Sequence, residues 1–132
     1  MNIKTIAFLA QLKNASLINK EFIKVDCNKF TKRVLEILYN EGFILNFRIN
    51  KKLNLFNETF EAGVHLRYIN QKPIFNNLTF VSTPAHQRVL SYKQICRLIV
   101  KKKLFIFSTD AGLLTLEECK KYRKGGILLF VC

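Results

Sequence analysis

The sequence has few acidic residues, no CxxC motif, no histidine pair at metal-ligand spacing and no apolar run long enough to span a membrane. Only 9 Asp and Glu residues stand against 22 Lys and Arg residues, which gives a formal net charge of +13. The apolar run at the end, Ile127 to Val131, is far shorter than the roughly 20 residues that a helix needs to cross a bilayer. We therefore expect no membrane insertion and interpret this run as a buried strand.

The four cysteines lie far apart along the chain, at Cys27, Cys96, Cys119 and Cys132. Their spacing is not that of a zinc site or of a dense disulfide framework. Reduced thiols in a compartment like the cytosol are the simpler interpretation. We expect these four residues to belong to the core and expect no bound metal.

The amino-terminal segment contains no arginine, and the first arginine of the chain is Arg33. Mitochondrial and plastid import peptides are rich in arginine, and secretory ones carry a longer apolar stretch. In addition, 53 of the 132 residues are Lys, Asn, Ile or Phe, the residues that AT-rich codons favour. We expect a protein made where it works, in a mitochondrion, with a plastid or the bacterial cytoplasm as alternatives.

Composition also indicates whether the chain can form a hydrophobic core and which kind of partner its charge favours. Apolar residues make up 49% of the chain, which is enough to fold. A length of 132 residues is typical of one domain or of two small packed halves. The large positive charge favours a polyanionic partner, either nucleic acid or an anionic membrane surface.

The first half of the sequence predicts two helices and three strands. A helix is expected over 2–19, followed by a short strand at 22–25 and a second helix that begins after Asn28 and stops at Gly42. The apolar stripe of the first helix is expected at Ile3, Ile6, Ala7, Ala10 and Asn14. Residues 43–49 and 59–69 alternate as strands, and this pattern places Leu45 with Phe47 on one face and His65 on the polar face.

The second half predicts mostly strands with short helices. Strands are expected at 78–82, 104–107 and 127–131, and a basic helical segment at 92–100. Thr115 and Glu118 form a capping-box pattern, which begins a helix that ends before Gly125. We predict an α+β fold of two packed halves: an N-terminal α-β-α-β-β domain at 1–75 and a C-terminal β-rich domain at 76–132.

This order of elements resembles the carboxy-terminal half of the bacterial-type small ribosomal subunit protein eight family. The matching positions are Ser108, Thr109, Gly112, Leu113, Leu114, Thr115, Gly125 and Gly126. The likeness continues upstream at Ser82 to Pro84, at 40–44 and at Lys13 and Asn14. The sequence departs from the family pattern in two places: no acidic residue follows the double glycine, and Ala85 replaces a glycine, so that Arg88 falls one position late.

The resemblance implies a structural component of the small ribosomal subunit. Such a protein binds central-domain ribosomal RNA during assembly, contacts neighbouring small-subunit proteins and is monomeric within the ribosome. The family has no cofactor and no catalytic activity. Lysine and arginine clusters suit this role because they neutralise phosphates, while a turn of hydroxyls and glycine can approach an RNA minor groove and its 2′-hydroxyls.

The candidate RNA-binding residues come from the matched motifs and from the cationic clusters. The turn before the last helix is expected to hold its hydroxyls outward. The full set is Ser108, Thr109, Asp110, Gly112, Lys120, Lys121, Arg123, Lys124, Gly125, Ser82, Pro84, Arg88, Lys101, Lys102, Lys103, Lys4, Lys13, Asn14, Lys29, Lys32 and Arg33.

Two other classes of function compete with this interpretation. For an enzyme, Cys96, His86, Ser108 and Asp110 are isolated candidates, and the double glycine is not a phosphate-binding loop. A basic peripheral protein on an anionic membrane, or one that binds non-ribosomal RNA, is the stronger alternative. Its basic residues, however, are scattered and do not line one face of an amphipathic helix.

Overall fold

A computed structural model describes residues 3–53, 58–73, 78–83, 85–98 and 103–132. Its contacts divide the chain into two compact units, Ile3–Asn76 and Asn77–Cys132. The mixture of helices and antiparallel sheets confirms the predicted α+β class.

The first unit begins with helices and strands in the predicted order. Its elements are α1 (Ile3–Leu17), β1 (Phe22–Cys27), α2 (Lys29–Asn40), β2 (Ile44–Leu53) and β3 (Glu58–Leu66), followed by the short pair β4 (Tyr68–Ile69) and β5 (Lys72–Pro73). The three longer strands form an antiparallel sheet in the order β1-β3-β2.

The buried face of α1 differs from the predicted stripe. Ala7 is exposed and Ile6 only half-buried, whereas Phe8, Leu9 and Leu12 are buried in the core. These larger side chains share the same helical period and remove more apolar surface from water, so they decide which face turns inward.

The predicted boundaries of α2 are confirmed by its caps. The Asn28 side chain accepts a hydrogen bond from the Thr31 backbone N–H at 2.8 Å, as expected of an N-cap. Beyond the other end, Gly42 has a φ of +80°, a conformation that glycine adopts without strain.

The alternation predicted for β2 is wrong at its start. The register against β3 shifts between Ile44 and Asn46, so that Ile44 is buried and Leu45 is 60% exposed. A bulge of this kind adds one residue to a strand and moves the following side chains to the other face. His65 lies exposed, as predicted.

The second unit is β-rich with two short helices. It contains β6 (Thr79–Phe80), β7 (Val89–Leu90), α3 (Tyr92–Cys96), β8 (Phe105–Thr109), β9 (Gly112–Thr115), α4 (Leu116–Tyr122) and β10 (Gly126–Val131). The sheet order is β6-β10-β8-β9, and β7 also pairs with β10. The predicted strand at the end of the chain is therefore confirmed, and three other strands pair with it.

The core of the second unit lies between this sheet and its two helices. One apolar cluster joins Leu90, Ile95, Phe107, Leu114, Leu116, Cys119, Leu128 and Val131. The predicted cap of α4 is confirmed, because the Thr115 hydroxyl accepts a hydrogen bond from the Glu118 backbone N–H at 3.4 Å.

The four cysteines are free thiols. Burial raises the pKa of Cys119 to about 11 and that of Cys132 to about 12, which keeps both in the neutral form that an apolar core tolerates. Cys27 is half-buried, and its pKa is raised by the same cause, against the opposing charge of Lys32. The expectation of a core position is wrong for Cys96, which is exposed at the end of α3.

The double glycine allows β10 to begin in a crowded place. A Cβ atom at position 126 would overlap the Ser108 carbonyl oxygen, and one at position 125 would lie 2.8 Å from the Leu90 carbonyl oxygen. Backbone atoms cannot swing aside as a flexible side chain does. The start of β10 therefore admits no side chain at these two positions without a shift of the neighbouring strands.

We predict that Gly126→Ala lowers the free energy of unfolding by about 1–3 kcal/mol, the usual cost of overpacking. Urea unfolding measures this, and hydrogen exchange should show faster exchange of the β8 and β10 amides. The control is Gly112→Ala, which is strained by a φ of +103° but has no neighbour within 4 Å of its added Cβ. If Gly126→Ala and Gly112→Ala leave the β8 and β10 amides equally protected from exchange, crowding at Gly126 is not the cause of the destabilisation.

Candidate nucleic-acid interface

The turn between β8 and β9 is closed by a single side chain. The Thr109 hydroxyl donates to the Gly112 carbonyl oxygen at 2.9 Å and accepts from the Ala111 backbone N–H at 3.2 Å. Gly112 supplies the left-handed backbone that the return requires. The Thr109 hydroxyl thus holds the turn together through exposed hydrogen bonds.

Ser108 is the residue of this turn whose hydroxyl remains available. It is half-buried and makes no side-chain hydrogen bond to another residue in the described part of the chain. Its backbone pairs with Leu113 in β9 and with Ile127 in β10. The strand pairing on both sides fixes the backbone that carries the hydroxyl.

An ion pair ties the turn to the end of α4. The Lys124 ammonium lies 3.1 Å from the Asp110 carboxylate. This hydrogen bond and charge lower the pKa of Asp110, so the carboxylate stays ionised at neutral pH. Part of the charge of Lys124 is thus neutralised within the protein.

The cations at the end of α4 lie at the surface beside that turn. Lys120, Lys121 and Arg123 are exposed, and the Lys121 ammonium lies 5.6 Å from the centre of the Tyr122 ring, within the range of a cation–π contact. Tyr122 is itself 56% exposed. The residues Ser108–Gly112 and Lys120–Gly125 together form what we call the turn–helix surface.

Arg123 occupies an unfavourable backbone conformation. Its φ of 54° and ψ of 46° place it in the left-handed region at the C-cap of α4, where a residue with a Cβ is disfavoured. The carbonyl of Cys119 accepts both from the Arg123 backbone N–H and from that of Lys124. A glycine would fit this cap better, so the arginine side chain is retained at a cost to stability.

The start of α3 lies next to the same region. Ser91 and Gln94 form a capping box there, with the Ser91 N–H donating to the Gln94 side chain at 2.9 Å. A hydrogen bond with Cys96 raises the pKa of Tyr92, and the charge of nearby Arg123 opposes that shift. Sequence reasoning missed this cap, although the S-x-x-Q pattern that announces it is present.

The predicted RNA-binding residues Ser82 and Arg88 lie in different environments. Ser82 is fully buried; its hydroxyl accepts from the Arg88 backbone N–H at 3.0 Å and donates to the Leu128 carbonyl. The side chain of Ser82 is therefore used to hold the segment 82–88 against β10. Arg88 and Lys103, by contrast, are exposed.

The candidates of the first unit lie on its two helices. Asn14, Lys29 and Lys32 are exposed and Lys13 is half-buried. Arg33 is half-buried and lies 3.6 Å from the Glu36 carboxylate. The backbone of Lys4 belongs to α1, but its side chain, together with Pro84, Lys101 and Lys102, lies outside the described residues.

The described part of the chain contains no cluster of three His, Cys, Asp or Glu residues suited to a metal ion. Within those same residues, no helix combines the length and the apolar character needed to cross a membrane.

The two units and the basic turn–helix surface define the class of the molecule, a small basic α+β protein. The chain belongs to the ribosomal protein S8 family, whose model matches residues 5–132. It is 34% identical over 104 residues to the small ribosomal subunit protein uS8m of Acanthamoeba castellanii, which covers 77% of this chain and 76% of the relative.

Bacterial relatives align over more of the chain. Identity is 30% over 122 residues to the small ribosomal subunit protein uS8 of Borrelia turicatae, covering 92% of this chain and 89% of the relative. It is 32% over 122 residues to the uS8 of Wolbachia pipientis, covering 92% and 90%. The family resemblance seen in the motifs is thus confirmed.

We predict that Arg123→Gly raises the free energy of unfolding by up to about 1 kcal/mol. Relief of the left-handed conformation gains about 1–2 kcal/mol, and the greater freedom of glycine in the unfolded chain offsets part of this gain. Urea unfolding at neutral pH measures the difference.

The matched control is Lys121→Gly, at a helical position of the same surface. This change should lower the free energy of unfolding by about 1 kcal/mol, the usual cost of glycine in a helix. If Arg123→Gly is as destabilising as Lys121→Gly, the backbone at position 123 is not strained.

Proposed function

We propose that this protein is a structural constituent of the small ribosomal subunit and binds its ribosomal RNA through the turn–helix surface. The observation that carries the proposal is the family match over 5–132, joined to exposed cations and an available hydroxyl at the motif positions. The relatives cited above are named as small ribosomal subunit proteins.

The charges of the turn–helix surface suit the backbone of a folded RNA. Lys120, Lys121 and Arg123 are exposed, so they can neutralise phosphates and release counterions. Lys124 has a different task, because its ammonium is bound to Asp110. We assign Lys124 and Asp110 to holding the turn against α4, and the phosphate contacts to the other three cations.

The hydroxyl of Ser108 supplies a contact of another kind. Double-stranded RNA is recognised through shape and through its 2′-hydroxyls in the wide minor groove. A hydroxyl on a backbone that is paired on both sides can exchange a hydrogen bond with such a group. Thr109 and Gly112 shape the turn, Gly125 allows the close approach to Leu90 at the start of β10, and the buried Ser82 positions the segment that carries Arg88.

The remaining candidate residues would extend the proposed contact with RNA. Arg88 and Lys103 would add phosphate contacts in the second unit, here taken as a C-terminal RNA-binding domain at 76–132. An N-terminal domain at 1–75 would contribute Lys13, Asn14, Lys29, Lys32 and Arg33. We also include the predicted RNA contacts of Lys4, Pro84, Lys101 and Lys102, whose side chains lie outside the described residues.

The proposed role requires RNA and protein neighbours but no catalysed reaction. We infer that the protein is not an enzyme, binds no cofactor, contacts neighbouring small-subunit proteins and is monomeric within the ribosome. We also infer that it works in a mitochondrion. The codon-related composition and the similarity to a relative named uS8m support this location.

We expect the tagged full chain to travel with the small ribosomal subunit when a mitochondrial lysate is separated on a sucrose gradient. Treatment with ribonuclease before centrifugation should move it to the top of the gradient, because the RNA holds it in the particle. A peak with membrane vesicles, or at the top without ribonuclease, would contradict the ribosomal role.

We expect Ser108→Ala to keep the melting temperature unchanged and to weaken binding to small-subunit ribosomal RNA about tenfold, or about 1.4 kcal/mol. The loss leaves an RNA group without its partner, which typically costs about 1–3 kcal/mol. A filter-binding titration measures the affinity. Thr79→Ala, an exposed strand position in the same unit, is the control and should bind as the wild type does; equal binding by Ser108→Ala would remove Ser108 from the interface.

A further inference from the structure

The sheet of the first unit has one face against its helices and one face open. Ile23, Val25, Ala62 and Val64 alternate onto the buried face. The opposite face carries the side chains between them, in rows set by the strand register. The first row is Phe22, His65 and Asn46, and the second is Lys24, Gly63 and Arg48.

The Phe22 ring of the first row lies against Gly63 of the second row. A Cβ at position 63 would lie 2.9 Å from Cζ of Phe22, so the ring rests against the backbone of β3 where a side chain is missing. The centres of the Phe22 and His65 rings are 4.8 Å apart, and Phe22 remains 42% exposed. The two ring planes are inclined by 48°, so the pair forms a small angled platform on which a flat group can stack against one ring and meet the edge of the other.

A cavity of about 420 Å³ opens beside this platform, lined by residues that include Phe22, Asn46, Arg48, Asn50, Gly63 and His65. This volume is in the usual range of ligand pockets, about 300–1,000 Å³. Its lining combines aromatic rings, amide side chains and a guanidinium group. That set offers a stacking surface, hydrogen-bonding groups for a base edge and a charge for a phosphate.

Charge decides which way a ligand can extend across this face. Lys24 and Arg48 lie on either side of Gly63 in the second row, whereas Asp26 and Glu61 form a pair in the third. A phosphate is attracted to the second row and repelled by the third. The ligand therefore spans the first two rows and does not extend further along β3 to the third.

We propose that this open face binds an unpaired nucleotide of RNA, with the base stacked on Phe22 beside the edge of His65 and the phosphate held by Lys24 and Arg48. Stacking on aromatic side chains beside a cationic groove is the usual way in which proteins bind single strands. This inference goes beyond the proposed function, because it concerns the other unit and a single-stranded ligand.

The test uses the full chain and a seven-nucleotide single-stranded RNA with 2-aminopurine at its centre. Fluorescence of 2-aminopurine falls when the base stacks. We expect quenching by the wild type and a loss of affinity of about tenfold for Phe22→Leu, because removal of a stacking ring commonly weakens binding by about five- to 160-fold. Lys24→Ala with Arg48→Ala should weaken binding most at low salt.

The matched control is Phe60→Leu. Phe60 belongs to the same sheet and is 44% exposed, but its position in β3 alternates with Glu61 and Gly63 and so faces the other way. This variant should quench as the wild type does. Thermal unfolding should show that both leucine variants are folded.

Ser108→Ala separates this proposal from the ribosomal one, since it should leave quenching unchanged. Absence of quenching by the wild type, or equal losses for Phe22→Leu and Phe60→Leu, would overturn the proposal and leave the open face to a protein neighbour. A fully paired RNA duplex that abolishes quenching at equal concentration would also contradict it.

Discussion

The second unit depends on the close approach between Gly126 and the carbonyl group of Ser108. Because no side chain separates them, β10 lies between β8 on one side and β6 and β7 on the other. The same strand contributes Leu128 and Val131 to the core and supports the Arg88 segment through its backbone. The double glycine is thus a structural requirement of the sheet before it is part of any binding motif.

The positive charge of the chain is kept apart from its core. Among the described residues, the buried polar side chains are the neutral hydroxyls of Thr5, Ser16, Thr31, Ser82 and Thr115, and every buried side-chain nitrogen or oxygen atom has a hydrogen-bond partner. Cations can therefore engage a polyanion without exposing apolar surface. Within the turn–helix surface, however, the cations are not equivalent, since Lys124 is neutralised locally and Arg123 occupies a strained cap.

Local chemistry made much of this fold predictable from the sequence. The caps at Asn28 and Thr115 depend on one side chain and a backbone N–H three residues away, so a short pattern identifies them. The inward face of α1 and the bulge at Leu45 depend on tertiary packing, which such patterns do not contain. The candidate site shows the same division: the sequence motif identifies Ser108 and Thr109, but only the folded turn distinguishes an available hydroxyl from one that closes it.

The place of β10 in the chain also bears on how the protein is made. A strand that pairs with β6, β7 and β8 is synthesised after all three of them, so none of these pairings can form until translation has passed Gly126. The first unit can fold earlier, because its sheet and helices precede residue 77, and domains generally fold in the order of synthesis. During that interval β8 can pair only with β9, and β6 and β7 have no partner strand, so the second unit completes its sheet later than the first.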